Sequence, residues 1–359
     1  MTMTRNRRQA WRASARPGTV PRTRRPGAAR RAPGPPRRWT GAVLVGLVAC
    51  SGSSNVPVGS RVGPAIAAAL GDADSYREPW PCAAPEGPSV ADETLTTGSH
   101  RWQLGARVMK LDAAGDVAIG VIADAAGSAP LTLAALSRLC ARLAQVDLVI
   151  SLGGMGGSRA ELDATFAAIT ERATWPLVAL PGDLEPVEAQ AEAIAAARQR
   201  GAAVIDGRLV QRIELPAATI ALIPGAGTAS RLAAGAGGCT YRAADVAAAL
   251  ADLTPRAGLR ILASAEAPRE PEGGTRGEPT GELALLPGAG QQIDIALHGP
   301  TGGAVTPARR GDRDGSAVLL TPGSSDATPR LPGPRRPPTA GILNLRGSAW
   351  TWKPIEDVK

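Results

Sequence analysis

Histidine is almost absent from this chain of 359 residues: there are two, His100 and His298. Nucleophile systems of the Ser-His-Asp or Cys-His kind need an imidazole base beside the nucleophile. With so few imidazoles, and no G-x-S-x-G turn, that chemistry has no anchor here. Phe and Tyr are as scarce, at one and two, beside seven Trp. The 44% apolar content still supports a core, but one built from Ala, Val, Leu and Ile. The four cysteines, Cys50, Cys82, Cys140 and Cys239, show no zinc-site spacing. Acidic residues are missing from residues 1–39, which hold 12 Arg. Taking that +12 from the whole-chain charge of +8 leaves −4 for the remainder. The body of the chain is therefore mildly acidic, which argues against a nucleic-acid partner.

Long hydrophobic runs are missing where an anchor is expected. The apolar stretch Gly41–Ala49 follows Arg37-Arg38-Trp39 and ends in Leu47-Val48-Ala49-Cys50. At about nine residues it is too short for a bilayer span, which needs roughly 20. A basic flank, a short apolar core and a small residue before the cut describe a secretory signal. Leu-Val-Ala-Cys resembles the bacterial lipobox, which implies a lipidated Cys50 and a membrane partner through that lipid anchor. Ser51-Gly52-Ser53-Ser54-Asn55 reads as a flexible tether. The basic stretch ahead of the signal is longer than such signals need. A start assigned too far upstream explains it more simply than a cytoplasmic arm does. In an envelope compartment at most one disulfide is expected, because Cys140 falls within a predicted helix.

Three segments follow: 1–50 as basic extension plus signal, 51–103 as tether and irregular lead-in, and 104–355 as one domain. Within the last, Val117–Ala123, Asp147–Leu152, Leu177–Leu180, Ala203–Ile205, Thr219–Ile223, Leu259–Ser264 and Ile293–Leu297 read as buried strands. Leu131–Gln145, Arg159–Arg172, Pro186–Arg200 and Ala243–Leu253 read as helices, with Pro186 suited to a first turn. Strands near Ala317–Thr321, Gly341–Leu345 and Ala349–Lys353 close the chain. This alternation predicts an α/β domain with largely parallel strands.

Ligands gather at the carboxyl ends of strands in such sheets. Five turns stand there: Asp124-Ala125-Ala126, Gly153-Gly154, Gly182-Asp183-Leu184-Glu185, Ser264-Ala265-Glu266-Ala267-Pro268 and Gly299-Pro300-Thr301-Gly302. Their order and spacing resemble the calcineurin-like metallophosphoesterases, whose signature is D-x-H, G-D, G-N-H-[DE], a lone His before a Pro, then G-H-x-H. Thr321-Pro322-Gly323-Ser324 is similar to that family's closing N-P-G-S turn. The resemblance spans about residues 105–355 and implies a four-layer α/β/β/α sandwich with mixed sheets.

The family's two-metal chemistry does not carry over with the frame. At the matching positions Ala126 stands for a His, Gly154 for the bridging Asp, Asp183 for the Asn, and Leu184 for the His near the leaving group. Ala265, Pro300 and Gly302 stand for three further His. His298 lies one position outside the ligand slots, and His100 falls in the lead-in. Asp124 and Asp183 are the only metal-ligand remnants, with Glu185 a further carboxylate; together they would hold at most a single divalent cation with water, and the commoner use of such acids is to cap helices or bond turn amides. The expectation is a lipid-anchored envelope protein whose domain binds or scaffolds an unidentified protein or small molecule. Its candidate pocket is Asp124, Gly153, Gly154, Asp183 and Glu185. The alternative is an active phosphoesterase with a reduced, carboxylate-based metal site. Gly153–Ser158, which follows a strand and precedes a helix, also raises a phosphate cradle.

Overall fold

The computed structural model describes residues 78–253, 258–268, 285, 293–300, 308–310, 317–328 and 337–357. The signal-like run, Cys50, the tether, Thr301 and Gly302 lie outside them. Among the described residues, no helix is long and apolar enough to cross a membrane.

The described residues open with β1 (Trp80–Pro81), a hairpin of β2 (Glu93–Thr97) and β3 (His100–Gly105), and β4 (Val108–Leu111). Strands and helices then alternate. The order is β5 (Val117–Ile122), α1 (Pro130–Arg142), β6 (Leu148–Leu152), α2 (Arg159–Thr170), β7 (Leu177–Leu180), α3 (Val187–Gln199) and β8 (Val204–Asp206). Next come β9 (Arg212–Glu214), β10 (Ala218–Ile223), β11 (Cys239–Thr240) and α4 (Ala243–Leu253). The described elements that follow are strands: β12 (Leu259–Ser264), β13 (Ile295–His298), β14 (Ala308–Arg310), β15 (Val318–Thr321), β16 (Thr339–Arg346) and β17 (Ala349–Glu356).

Two large sheets result. One has six strands in the order β17-β16-β5-β6-β7-β8, the other nine in the order β14-β15-β13-β12-β10-β9-β4-β3-β2. Each is mixed. β5 to β8 run parallel, and β16 is antiparallel to β5. Likewise β10, β12, β13 and β15 run parallel, flanked by antiparallel β9 and β14.

Side-chain alternation along each strand sets the layers. On β5, Val117, Ile119 and Val121 point to the other sheet, where they meet Ile220, Leu222, Ile261 and Leu297. The opposite face of the six-stranded sheet, with Ile122 and Val149, packs on Leu136, Leu139, Phe166 and Ile194 of the helices α1 to α3. Ala221, Leu262 and Ala296 of the nine-stranded sheet turn outward onto Val246 and Leu250 of α4. The order from outside to outside is helix, sheet, sheet, helix: the four-layer α/β/β/α sandwich with mixed sheets. Scarce aromatics are used where bulk is needed. Phe166 and Trp102 are fully buried, and Trp352 lies over Gly341, where an added Cβ would fall within 2.0 Å of its ring.

Several boundaries differ from the sequence reading. The segment read as an irregular lead-in carries β1, β2 and most of β3, so the nine-stranded sheet begins well before residue 104. Its strands were hidden because β2 is exposed on alternate residues and contributes polar Thr and Glu. Pro186 caps α3 in an extended conformation and Val187 is the first helical residue. α1 stops at Arg142, where Leu143 caps it, short of Gln145. Cys82 and Cys239 form a disulfide, and Cys140 is buried and free. Burial pushes the Cys140 thiol up to about 12.

Candidate functional site

The five turns do converge, and they do so by backbone contact. Asp124 and Ala126 are left-handed, with φ of 50° and 60°, so the chain leaves β5 in a tight coil. That coil is stitched to the turn after β6: the Asp124 N–H donates to the Gly153 carbonyl at 2.9 Å, and the Ala126 N–H to the Gly154 carbonyl at 2.7 Å. A Cβ on Gly154 would stand 2.8 Å from the Asp124 Cα. A Cβ on Gly153 would stand 2.7 Å from both the N and Cα of Gly182 and 3.1 Å from the Ala265 Cβ. Gly299, at the end of β13, approaches the Ala265 carbonyl so closely that a Cβ would fall at 2.3 Å. The strand ends of both sheets thus close on one another, with Gly154 and Ala265, two of the positions expected to ligate, inside the closure.

The candidate pocket residues fall into three situations. Gly153 and Gly154 are buried in that closure, and Asp124 is half-buried beside them. The Asp124 carbonyl accepts the Ser324 hydroxyl at 2.9 Å, and the Ala123 carbonyl accepts the Ser325 N–H at 2.9 Å, so the turn after β15 seals this side. Asp183 is exposed, and its carbonyl accepts the Ala234 N–H at 3.0 Å from the loop after β10. Glu185 is 1% exposed. Its carboxylate accepts the Gly182 N–H at 2.8 Å and the Met155 N–H, with the Gly154 N–H also contributing. Desolvation raises its pKa, against the pull of those backbone donors.

Glu185 therefore fills the amide cradle from within the chain. The amides that would cradle a phosphate after β6 already hold a carboxylate of the same chain. Further along, Ser158 caps α2 by accepting the Glu161 N–H at 3.3 Å, while the Glu161 carboxylate accepts the Gly157 N–H at 2.9 Å. This is a variant of the capping box, in which Glu161 takes the N–H one residue before the cap, and it satisfies two donors at the helix start. The Gly153–Ser158 loop is set by Glu185 and Glu161, and a phosphate there would have to displace both.

The donors present do not fit a two-metal centre. Among the described residues, no group of three or more His, Cys, Asp or Glu side chains is arranged to hold a metal ion. His298, buried at the end of β13, turns its Nδ1 to the Gly299 carbonyl at 2.7 Å. His100 is on β3, and its Nε2 donates to Asp147 at 2.6 Å while the other Asp147 oxygen accepts the Ala118 N–H, tying one sheet to the other.

Sequence reasoning missed Glu266, one residue after Ala265. Its carboxylate accepts the Gly227 N–H at 2.8 Å and the Tyr241 hydroxyl at 2.5 Å, and pairs with Arg231 at 3.0 Å. A lone Glu beside a pattern position gave no signal of this convergence. Among the described residues, cavities also lie elsewhere. One of about 260 Å³ runs between Ala83, Arg107 and α4; another, about 530 Å³, opens beside Thr97, Trp175 and Arg200. Neither is lined by the five candidate residues.

No family model matches this chain, and no curated protein matches it. Solved structures do resemble it. TT1561 of Thermus thermophilus is 12% identical with a TM-score of 0.40, over 66% of this chain and 98% of that one. GAP50, the anchor in the inner membrane complex of Plasmodium, is 12% identical with a TM-score of 0.43, over 68% and 86%. Purple acid phosphatase PPD1 from yellow lupin is 11% identical with a TM-score of 0.44, over 71% and 54%. These likenesses are too remote to bear on chemistry. The four-layer assignment stands on the chain's own sheets.

Proposed function

We propose that this is a non-catalytic binding or scaffolding protein, built on a phosphoesterase-like frame and held at the cell envelope by a lipid on Cys50. The observation that carries the non-catalytic reading is the closure of the strand ends. Gly154 and Ala265 stand where the resembled family carries a bridging Asp and a His, and both are packed against the neighbouring turns: a Cβ on Gly154 would lie 2.8 Å from the Asp124 Cα, and the Ala265 Cβ lies against Gly153 and Gly182. The one fully buried carboxylate there, Glu185, is committed to backbone amides. The Cys82–Cys239 disulfide supports export, since such bonds persist in oxidising compartments. With the closed centre unavailable, binding falls to the exposed rim around Asp183.

The test is metal content and turnover. Incubated with Mn²⁺ and Mg²⁺ and freed of excess, the purified protein is expected to retain no stoichiometric metal by mass spectrometry. It should also show no metal-dependent hydrolysis of bis(p-nitrophenyl) phosphate. About two metal equivalents, the complement of a two-metal site, together with hydrolysis abolished by Asp124→Ala, would instead establish the phosphoesterase.

A further inference from the structure

The segment Pro224–Gly238, between β10 and β11, crosses the carboxyl ends of both sheets. On the six-stranded side, the Gly225 N–H donates to the Pro181 carbonyl at 2.9 Å and the Ala234 N–H to the Asp183 carbonyl at 3.0 Å. On the nine-stranded side, Glu266 holds Gly227 and Arg231. Two short 3-10 turns, Ala229–Arg231 and Gly235–Gly237, form the span between, and neither buries a residue. Its ends are buried at Pro224, Gly225, Ala226 and Gly238, and Leu232 is buried between them, while Thr228 to Arg231 are exposed. An exposed middle of this kind has little local stability of its own.

Its far end is fixed differently. β11 pairs with β1 in a parallel bridge of Trp80 with Cys239 and Pro81 with Thr240, and the disulfide joins Cys239 to Cys82 there. The Cys82 segment is itself secured: Gln211 donates to the Ala83 carbonyl at 2.8 Å, and Arg107 donates to the carbonyls of Ala84 and Pro85. The one covalent fastening of the covering segment is thus a bond between chain regions 157 residues apart.

We propose that the Cys82–Cys239 disulfide is a redox latch: oxidised, it keeps Pro224–Gly238 closed over the strand ends, and reduced, it lets that segment open and widen the exposed rim around Asp183 to the strand ends beneath. The reductant is an external dithiol. Cys239 is fully buried and Cys82 half-buried, so the incoming thiolate reaches the Cys82 sulfur. The S–S bond breaks, its electron pair leaves on the Cys239 sulfur, and that sulfur takes up a proton. The dithiol's second thiol loses its proton and attacks the mixed disulfide, releasing Cys82 as a thiol and closing the dithiol's own disulfide. Two electrons and two protons pass from the dithiol to the protein in that exchange. The use of the widened rim rests on the binding role proposed above; the latch does not.

Hydrogen–deuterium exchange of the full protein, with and without dithiothreitol, reads the latch alone. Reduction is expected to speed exchange across 224–238 by about tenfold or more, while β5, β6 and β7 keep their protection. Cys82→Ser without reductant should reproduce the reduced pattern, and dithiothreitol should then change nothing further. Unchanged exchange in 224–238 on reduction would overturn the proposal, because Glu266 and the backbone bonds would suffice. Exchange rising together across the whole domain would overturn it too, making the bond a general staple.

Discussion

Glu185 sets the terms at the scale of single residues. A carboxylate wholly out of water, with its pKa raised by desolvation, is less favourable ionised in the fold than in the unfolded chain. A raised folded pKa means the associated stability is fully present below the unfolded glutamate value and is lost as pH rises through the folded one. Wild type should therefore gain on Glu185→Gln as pH falls from 7.5 toward 5, with chemical denaturation of both proteins at each pH giving the difference. A difference that is flat, or that grows in the other direction, would show the carboxylate to be stabilised as an anion by its amides. At the level of sequence Glu185 reads as one of three acids that more commonly bond turn amides than hold a cation; which amides it takes, those of Gly154, Met155 and Gly182, only the fold decides.

At the scale of elements, the turns after β5, β6 and β7 behave as one unit because their backbones touch. Gly153→Ala illustrates the cost, since residue 153 has φ of 77° and faces Gly182 at 2.7 Å from a would-be Cβ. Left-handed strain and overpacking together should remove about 2–5 kcal/mol. Thermal or denaturant unfolding checks it; a loss under about 0.5 kcal/mol, the range of harmless surface changes, would mean the turns can separate. The regular elements were legible in the sequence, since continuous apolar runs at β6, β7, β10 and β12 are what buried parallel strands look like. The β2–β3 hairpin was not, because an exposed, polar strand leaves no such run. The disulfide partner of Cys82 was equally invisible, for 157 residues of chain separate two cysteines that only the packing of β1 on β11 brings together.

At the scale of the whole molecule, the sheets and the chain's expected anchor divide the labour. His100 and Asp147 join the nine-stranded sheet to the six-stranded one, so the lead-in histidine that had no assignable role helps hold the sandwich together. The anchor is tested by Cys50→Ala. The expected outcome is a shift of the protein from the membrane to the soluble fraction, with an unchanged unfolding midpoint; retention at the membrane would remove the lipid from the account. Finally, the buried Cys140 bears on how the chain acquires its crosslink. Thiol exchange is carried by the thiolate, and a thiol pushed up to about 12 in the packing under α1 supplies almost none. Of the bonds 82–140, 140–239 and 82–239, only the last stays open once α1 has docked. Collapse before oxidation therefore selects the native crosslink by itself, and a chain oxidised while still extended forfeits that protection.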